Sequence, residues 1–311
     1  MYRMIKVKKM KIKTVFLLLS VMTSAVLPRY LSAEENRELE PYAVLDHKGL
    51  LPEGSTLFKS RQYKNIFWTI NDSGNTPHLF AFGQDGSLVH PVSVENPTGT
   101  YRGILVKNAG NRDWEAVAAD DSGNLIICDS GNNKNRRRDL AVYVVPEPDP
   151  YSAYETLPAQ KIEFSYRDQK EFPPRKKNFD SEACFWNKGH LYLLTKHRHD
   201  TDTKLYRFED LDPSRQHILK KVEKINIGGM VTDAAVSPDG RYLAVLTYYG
   251  ITLFEISYGR NGKIKYFRKP VKYSFSAGQC EGIEFEDAEN ISVSNEKGQL
   301  FRIPLRDILK I

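Results

Sequence analysis

Three features of the sequence predict an all-β chain folded as a β-propeller: a recurring acidic–small dipeptide, an apolar strand at a nearly constant distance behind it, and an aromatic-marked strand after that. The dipeptides are Glu53-Gly54, Glu115-Ala116, Glu182-Ala183, Asp233-Ala234 and Glu281-Gly282. Each opens a first strand. Second strands start at Ile66, Leu125, Leu191, Tyr242 and Ile291 and read IFWTI, LIIC, LYLL, YLAVL and ISV. Most are apolar on both faces, as suits a strand packed between neighbouring sheets. Third strands carry Phe80, Tyr143, Tyr206, Phe254 and Phe301. Fourth strands are visible as Lys161-Tyr166, Val222-Ile227 and Val271-Phe275. Turn strings such as Gln84-Asp85-Gly86, Asp121-Ser122-Gly123 and Pro238-Asp239-Gly240 separate them.

Four-stranded antiparallel blades follow, five in number. The stretch Leu88 to Arg112 holds two further extended pieces, which makes six blades the alternative. The last repeat reaches Ile311 without a fourth strand, so the N-terminal segment Glu40-Leu45 is expected to supply it and close the ring.

Residues 1–33 read as a secretory signal peptide, leaving a single propeller domain over 34–311. Arg3, Lys6, Lys8, Lys9, Lys11 and Lys13 precede the apolar run Val15 to Leu27, and Ser32-Ala33 forms a small-residue exit. That run is shorter than the roughly 20 residues of a membrane span. The expectation is an exported, periplasmic or extracellular protein with no stable span after cleavage. The segment holds seven of the 45 Lys+Arg and none of the 39 Asp+Glu, so the remainder carries 38 against 39. The formal charge of +6 therefore belongs to the export signal and not to a nucleic-acid surface. A monomer is expected. Cys128, Cys184 and Cys280, an odd set inside strand patterns, give no disulfide framework.

In a blade the start of the first strand and the end of the second lie at the same face. The five acids therefore gather near the loops Asn71-Asn75, Asp129-Asn133, Thr195-Arg198, Thr247-Tyr249 and Ser294-Glu296. These loops are polar and diverse where the strands are not. Carboxylates converging on a channel mouth raise one another's pKa or demand a counter-ion. A hard cation with oxygen ligands, Ca²⁺ or another divalent ion, relieves this. Candidate metal ligands are Glu53, Glu115, Asp129, Glu182 and Glu281. Candidate catalytic carboxylates are Glu115, Glu182 and Glu281. Candidate ligand-binding residues are Asn71, Asp72, Asn132, Asn133, Arg138, Lys196, His197, Tyr248 and Asn295. The competing reading makes the acids acceptors for backbone N–H groups that tie blades together, and the Asp-Ser-Gly-Asn strings simple turns.

Taken in order, Trp68-Thr69-Ile70-Asn71-Asp72-Ser73-Gly74-Asn75, Asp113-Trp114-Glu115, Asp129-Ser130-Gly131-Asn132-Asn133, Phe179-Asp180-Ser181-Glu182-Ala183 and Gln279-Cys280-Glu281-Gly282 resemble exported bacterial propellers of the phytase-like, esterase-like and SdiA-regulated kind. The resemblance covers most of the chain after residue 33. It implies a propeller with a polar channel face and possible calcium dependence. Dense acidic calcium clusters of true propeller phytases cannot be placed residue by residue. Lactonase-type propellers, the second analogue, hold a divalent cation with a Glu, an Asn and an Asp, a set that Glu53, Glu115 or Glu281 with Asn71, Asn132 and Asp129 would imitate. The usual Glu-Gly-Pro opening is absent, because Ser55 follows Glu53-Gly54.

Two functions follow. One is a module binding a small anionic molecule, glycan or envelope protein at the channel face, with or without a divalent cation. The alternative is a metal-dependent hydrolase, a phosphoesterase or lactonase-like enzyme, using the same face. The chain has no Gly-x-Ser-x-Gly elbow and no zinc-type His pair.

Overall fold

Apolar runs bounded by turn residues become strands almost where the sequence places them. The structure is a computed structural model, and it describes residues 37–46, 49–94 and 101–311. The expected export segment 1–33 lies outside them, and the described residues fall in one unit, Glu35–Ile311. Two short strands come first, β1 (Arg37–Glu38) and β2 (Ala43–Val44). The rest of the chain runs as successive antiparallel meanders. The first is β3 (Gly54–Lys59), β4 (Ile66–Asn71) and β5 (His78–Gly83), with β6 (Leu88–Val89) and β7 (Ile104–Leu105) both paired to β5. The second is β8 (Ala116–Ala119), β9 (Asn124–Asp129), β10 (Ala141–Pro146) and β11 (Gln160–Tyr166). The third is β12 (Asp180–Asn187), β13 (His190–Lys196), β14 (Asp202–Arg207) and β15 (His217–Asn226). The fourth is β16 (Val231–Val236), β17 (Tyr242–Thr247), β18 (Gly250–Tyr258) and β19 (Ile264–Ser276). The fifth is β20 (Cys280–Phe285), β21 (Asn290–Asn295) and β22 (Gln299–Pro304). A one-turn helix, α1 (Leu305–Leu309), follows.

Second strands begin at or within one residue of the predicted positions. The pieces in Leu88–Arg112 that suggested a further unit instead share the outer edge of β5. The fourth strand of the last meander is β2, which pairs with β22 through Ala43↔Leu300 and Val44↔Gln299. Two pairings were not anticipated: β1 runs parallel to β19, and β11 runs parallel to β15, which fuses the second and third meanders into one eight-stranded sheet.

The first strand of each meander is innermost. These strands touch in the order β3, β8, β12, β16, β20 and back to β3, a propeller-like arrangement. The core lies between neighbouring meanders. Ile126 and Cys128 pack with Cys184, Leu193 and Tyr206, while Trp68 and Ile70 pack with Trp114, Val117 and Ile127. Every residue of β4 is buried, as a strand covered on both faces requires. Full burial of each such large side chain stabilises by about 1.5–3 kcal/mol. The three cysteines are free and buried, so they act as small core residues.

Candidate functional site

Bulges decide where the acids point. In β12 the pairing skips from Ser181 to Ala183, and in β20 from Cys280 to Gly282. Glu182 and Glu281 are therefore the extra residues, and a bulge re-aims the side chain it carries. In β16 the skip runs from Val231 to Asp233, so the extra residue is Thr232. Asp233 stays in register and turns the other way. Its Oδ2 accepts from Thr56 Oγ1 (3.1 Å) and Ile283 N (3.0 Å), and its Oδ1 accepts from Ala234 N (2.8 Å). This acid ties β16 to β3 and β20, the structural role weighed against a ligand role for all five.

The remaining acids meet at one end of the innermost strands. A cavity of about 170 Å³ is lined there by Glu53, Asp72, Glu115, Glu182, Glu281 and Glu296, with Lys196, Arg198, Tyr248 and Asn133. Six carboxylates against two cations make this mouth acidic, so a bare anion is repelled unless a cation sits between.

Carboxylate oxygens form two overlapping groups, each with all ligand atoms within 4.8 Å: Asp72, Asp113 and Glu115, then Glu115, Asp180 and Glu182. The second group is compensated. Lys196 Nζ lies 3.0 Å from Glu182 Oε2, Arg198 Nε donates to Asp180 Oδ2 at 2.9 Å, and Arg198 Nη2 lies 3.7 Å from Glu182 Oε1. Burial alone would lower the Lys196 ammonium, but the adjoining Glu182 overrides it and holds the pKa above its ordinary value. Glu182 is nonetheless raised, by burial first and by Asp180 second.

The first group has no ion pair of its own: among the described residues no Lys, Arg or His pairs with Asp72, Asp113 or Glu115. Arg137 and Lys196 act on Asp113 and Asp72 only from a distance. Burial raises Glu115 well above the ordinary carboxylate range, reinforced by Glu182, Asp72 and Asp113. Burial, then the Asp72 and Asp180 charges, push Asp113 up to about 7. Asp113 Oδ1 is buried without a hydrogen-bond partner. Gly131 makes room for the group: a Cβ there would collide with Glu115 Oε1 and lie 2.6 Å from Asp113 Oδ2. An all-oxygen set, an orphaned buried oxygen and a cradle that only glycine leaves open together fit a hard cation. Glu281 is pushed up to about 7, chiefly by burial, and Gln279 Nε2 donates to its Oε1 at 3.0 Å.

The other predicted residues have definite places. Glu53 stands at the rim, where Asn75 Nδ2 donates to its Oε2 at 3.3 Å. Asn71 bonds the Leu50 carbonyl (2.8 Å), and Asn132 bonds the Phe179 carbonyl (3.2 Å) and accepts from Arg137 N (3.0 Å). Asn295 bonds the Ala277 carbonyl (2.7 Å) and caps its own turn. Asp129 pairs with Arg137 Nη1 at 2.9 Å and accepts from Asp113 N at 3.0 Å, which orients the Asp113 segment. His197 is buried, with Nδ1 on Asp200. Arg138 points away from the mouth, its guanidinium 3.9 Å above the Phe172 ring. Tyr248 and Lys196 meet at the mouth, with Nζ 5.1 Å from the ring centroid.

Sequence reading missed Asp113 and Asp180 as site residues, together with Gln279 and Glu296. A signal for the first two was present. Asp113-Trp114-Glu115 and Asp180-Ser181-Glu182 repeat an Asp-x-Glu spacing at the start of two successive first strands.

No family model matches this chain, and no curated protein matches it. Solved structures similar to it include a luciferin-regenerating enzyme (12% identity, 85% of this chain and 79% of that chain covered, TM-score 0.44). Two others are a Bacteroides fragilis protein described as a 6-phosphogluconolactonase (15% identity, 80% and 82% covered, TM-score 0.42) and a Pseudomonas aeruginosa periplasmic gluconolactonase (12% identity, 79% and 83% covered, TM-score 0.42). With TM-scores below 0.5 and identities of 15% or less, these likenesses carry no weight for the chemistry of this chain.

Proposed function

We propose that this protein is an exported, five-bladed propeller hydrolase that holds a divalent cation at the acidic channel mouth and cleaves an ester, lactone or phosphoester. The cyclic contact order of the five innermost strands supports the five-blade count, and the β2–β22 pairing supports ring closure by the N-terminal strand. Export rests on the composition of residues 1–33; among the described residues no helix is long and apolar enough to cross a membrane.

The observation that carries the reading is the buried Asp72–Asp113–Glu115 oxygen group, with which no side-chain cation forms an ion pair among the described residues. These three residues would hold the ion. A cation bound there supplies Lewis acidity toward a carbonyl or phosphoryl oxygen and lowers the pKa of water. Glu281, which burial pushes up to about 7, would take the proton from the attacking water as its oxygen bonds to carbon or phosphorus. The bond to the leaving oxygen breaks, and the protonated Glu281 returns the proton to it. Lys196 and Arg198, fixed by Glu182 and Asp180, offer N–H donors to the oxygens of the substrate beside the cation.

The test is hydrolysis by the full chain of γ-butyrolactone, p-nitrophenyl butyrate and p-nitrophenyl phosphate, with CaCl₂ or MnCl₂ and then with EDTA. Turnover of one class that needs the cation and vanishes in Glu115→Gln, with an unchanged circular dichroism spectrum, is expected. A cation-dependent rise in melting temperature without turnover of any class would replace this reading with a cation-dependent binding surface for a glycan or envelope protein. Absence of any cation effect overturns both.

A further inference from the structure

We infer that a groove on the outer flank of the second and third meanders is a binding site for an organic phosphate, independent of the chemistry at the channel mouth. The groove, of about 650 Å³, lies where β11 meets β15, and its charged lining residues are Arg137, Arg138, Arg167, Lys170 and Lys220. No carboxylate lines it. The other described cavities contain acids: the mouth as above, the opposite end of the channel with Asp121, Asp239, Glu284 and Glu286, and the interior with Asp233 and Glu284. The nearby Asp168 is turned away, onto Lys204 Nζ (3.0 Å) and Tyr206 Oη (2.7 Å).

Four of the five cations have no ion pair. Arg138, Arg167, Lys170 and Lys220 have no ion pair or side-chain hydrogen bond among the described residues, so nothing neutralises the charge they bring to one hollow. Like charges gathered around one hollow repel one another, and an anion relieves that repulsion. Arg138 is held by stacking on Phe172. A guanidinium stacked by its face keeps its in-plane N–H donors available, and those donors match the bidentate geometry of phosphate.

The groove is larger than an inorganic ion needs, and part of its wall is apolar. Phe172 and Ile218 line it, and Ile218 is 64% exposed. The backbone of this region is already paired, with Phe164↔His217 through Tyr166↔Leu219. No strand edge is offered there for a peptide to extend, and recognition falls to side chains. A phosphate carried on a flat apolar body satisfies both the charge and the wall.

The test uses 1-naphthylmethylphosphonate, which the proposed hydrolase cannot cleave, titrated into the full chain by calorimetry, with inorganic phosphate and 1-naphthol as comparison probes. Saturable binding tighter than either comparison probe is expected. The exposed pair Arg138→Gln/Lys170→Gln should weaken it about a hundredfold, taking about tenfold for each charge-assisted contact removed. Lys64→Gln/Arg260→Gln, which removes two exposed cations elsewhere, should leave it unchanged. Three results overturn the inference: no saturation by the phosphonate, equal affinity for 1-naphthol, or equal loss in both double variants.

Discussion

Replacing Asp113 by Asn removes a carboxyl whose ionisation the fold opposes, and the consequence can be worked out. The carboxyl is pushed from its ordinary 3.8 up to about 7 by burial and by Asp72 and Asp180. At about 1.36 kcal/mol per pH unit, keeping it ionised in the fold costs at most on the order of 4 kcal/mol. Between pH 3.8 and about 7 the native state holds a proton that the unfolded chain has released. Stability therefore falls as pH rises through that window and levels off above it. Asp113→Asn takes this contribution away. The variant should match the parent near pH 4 and exceed it by about 2–4 kcal/mol at pH 8. Urea unfolding of the full chain, followed by tryptophan fluorescence at both pH values, measures this. Calcium should recover stability at pH 8 in the parent and not in the variant, since an ion bound only by the native state stabilises by mass action. An identical pH 4-to-8 decline in parent and variant would refute the reasoning.

Glu281→Gln should lower kcat by about 10²- to 10⁴-fold and erase the rise in activity through about pH 7, because the base works only when deprotonated; an unchanged pH–rate profile contradicts the role. Lys196→Met should cost about 3–5 kcal/mol, because Lys196 and Glu182 are each only 5% exposed and the orphaned carboxylate stays buried. Adding Glu182→Gln should restore much of that loss, and a double-mutant cycle reads the coupling directly. Asp233→Ala should destabilise by about 3 kcal/mol, since Thr56 Oγ1 and the N–H groups of Ala234 and Ile283 lose their acceptor; a loss below about 1 kcal/mol in denaturant unfolding would remove its role as a tie.

Strands were legible because their signals are local. Ile66-Phe67-Trp68 and Leu191-Tyr192-Leu193 announce buried strands by composition, and Pro238-Asp239-Gly240 announces a turn. The acidic mouth was legible in outline for the same reason. Register was not. The bulge that separates Asp233 from Glu182 and Glu281 lies one residue earlier in its strand, and pairing with β17 sets it. Side-chain direction in loops was equally hidden. Arg137 reaches inward to Asp129 while its neighbour Arg138 lies on Phe172, and no composition distinguishes two consecutive arginines. The strings NDSGN and DSGNN look alike, yet Asn71 secures the Leu50 carbonyl and Asp129 secures an arginine. Such differences depend on partners far away in the chain.

The pairing of Ala43 with Leu300 also bears on the order of events during synthesis. A nascent chain that has emerged only as far as β21 lacks β22, the strand with which β2 pairs among the described residues. β2 must wait for this partner until the chain has been made past Pro304, the end of β22. The slowest contact to form is then the β2–β22 pairing, because it closes the longest loop among the described strand pairings. Until it forms, the free edge of β22 is open to pairing with another molecule. Removal of residues 37–46 should therefore appear first as aggregation during refolding rather than as loss of any side chain at the channel mouth.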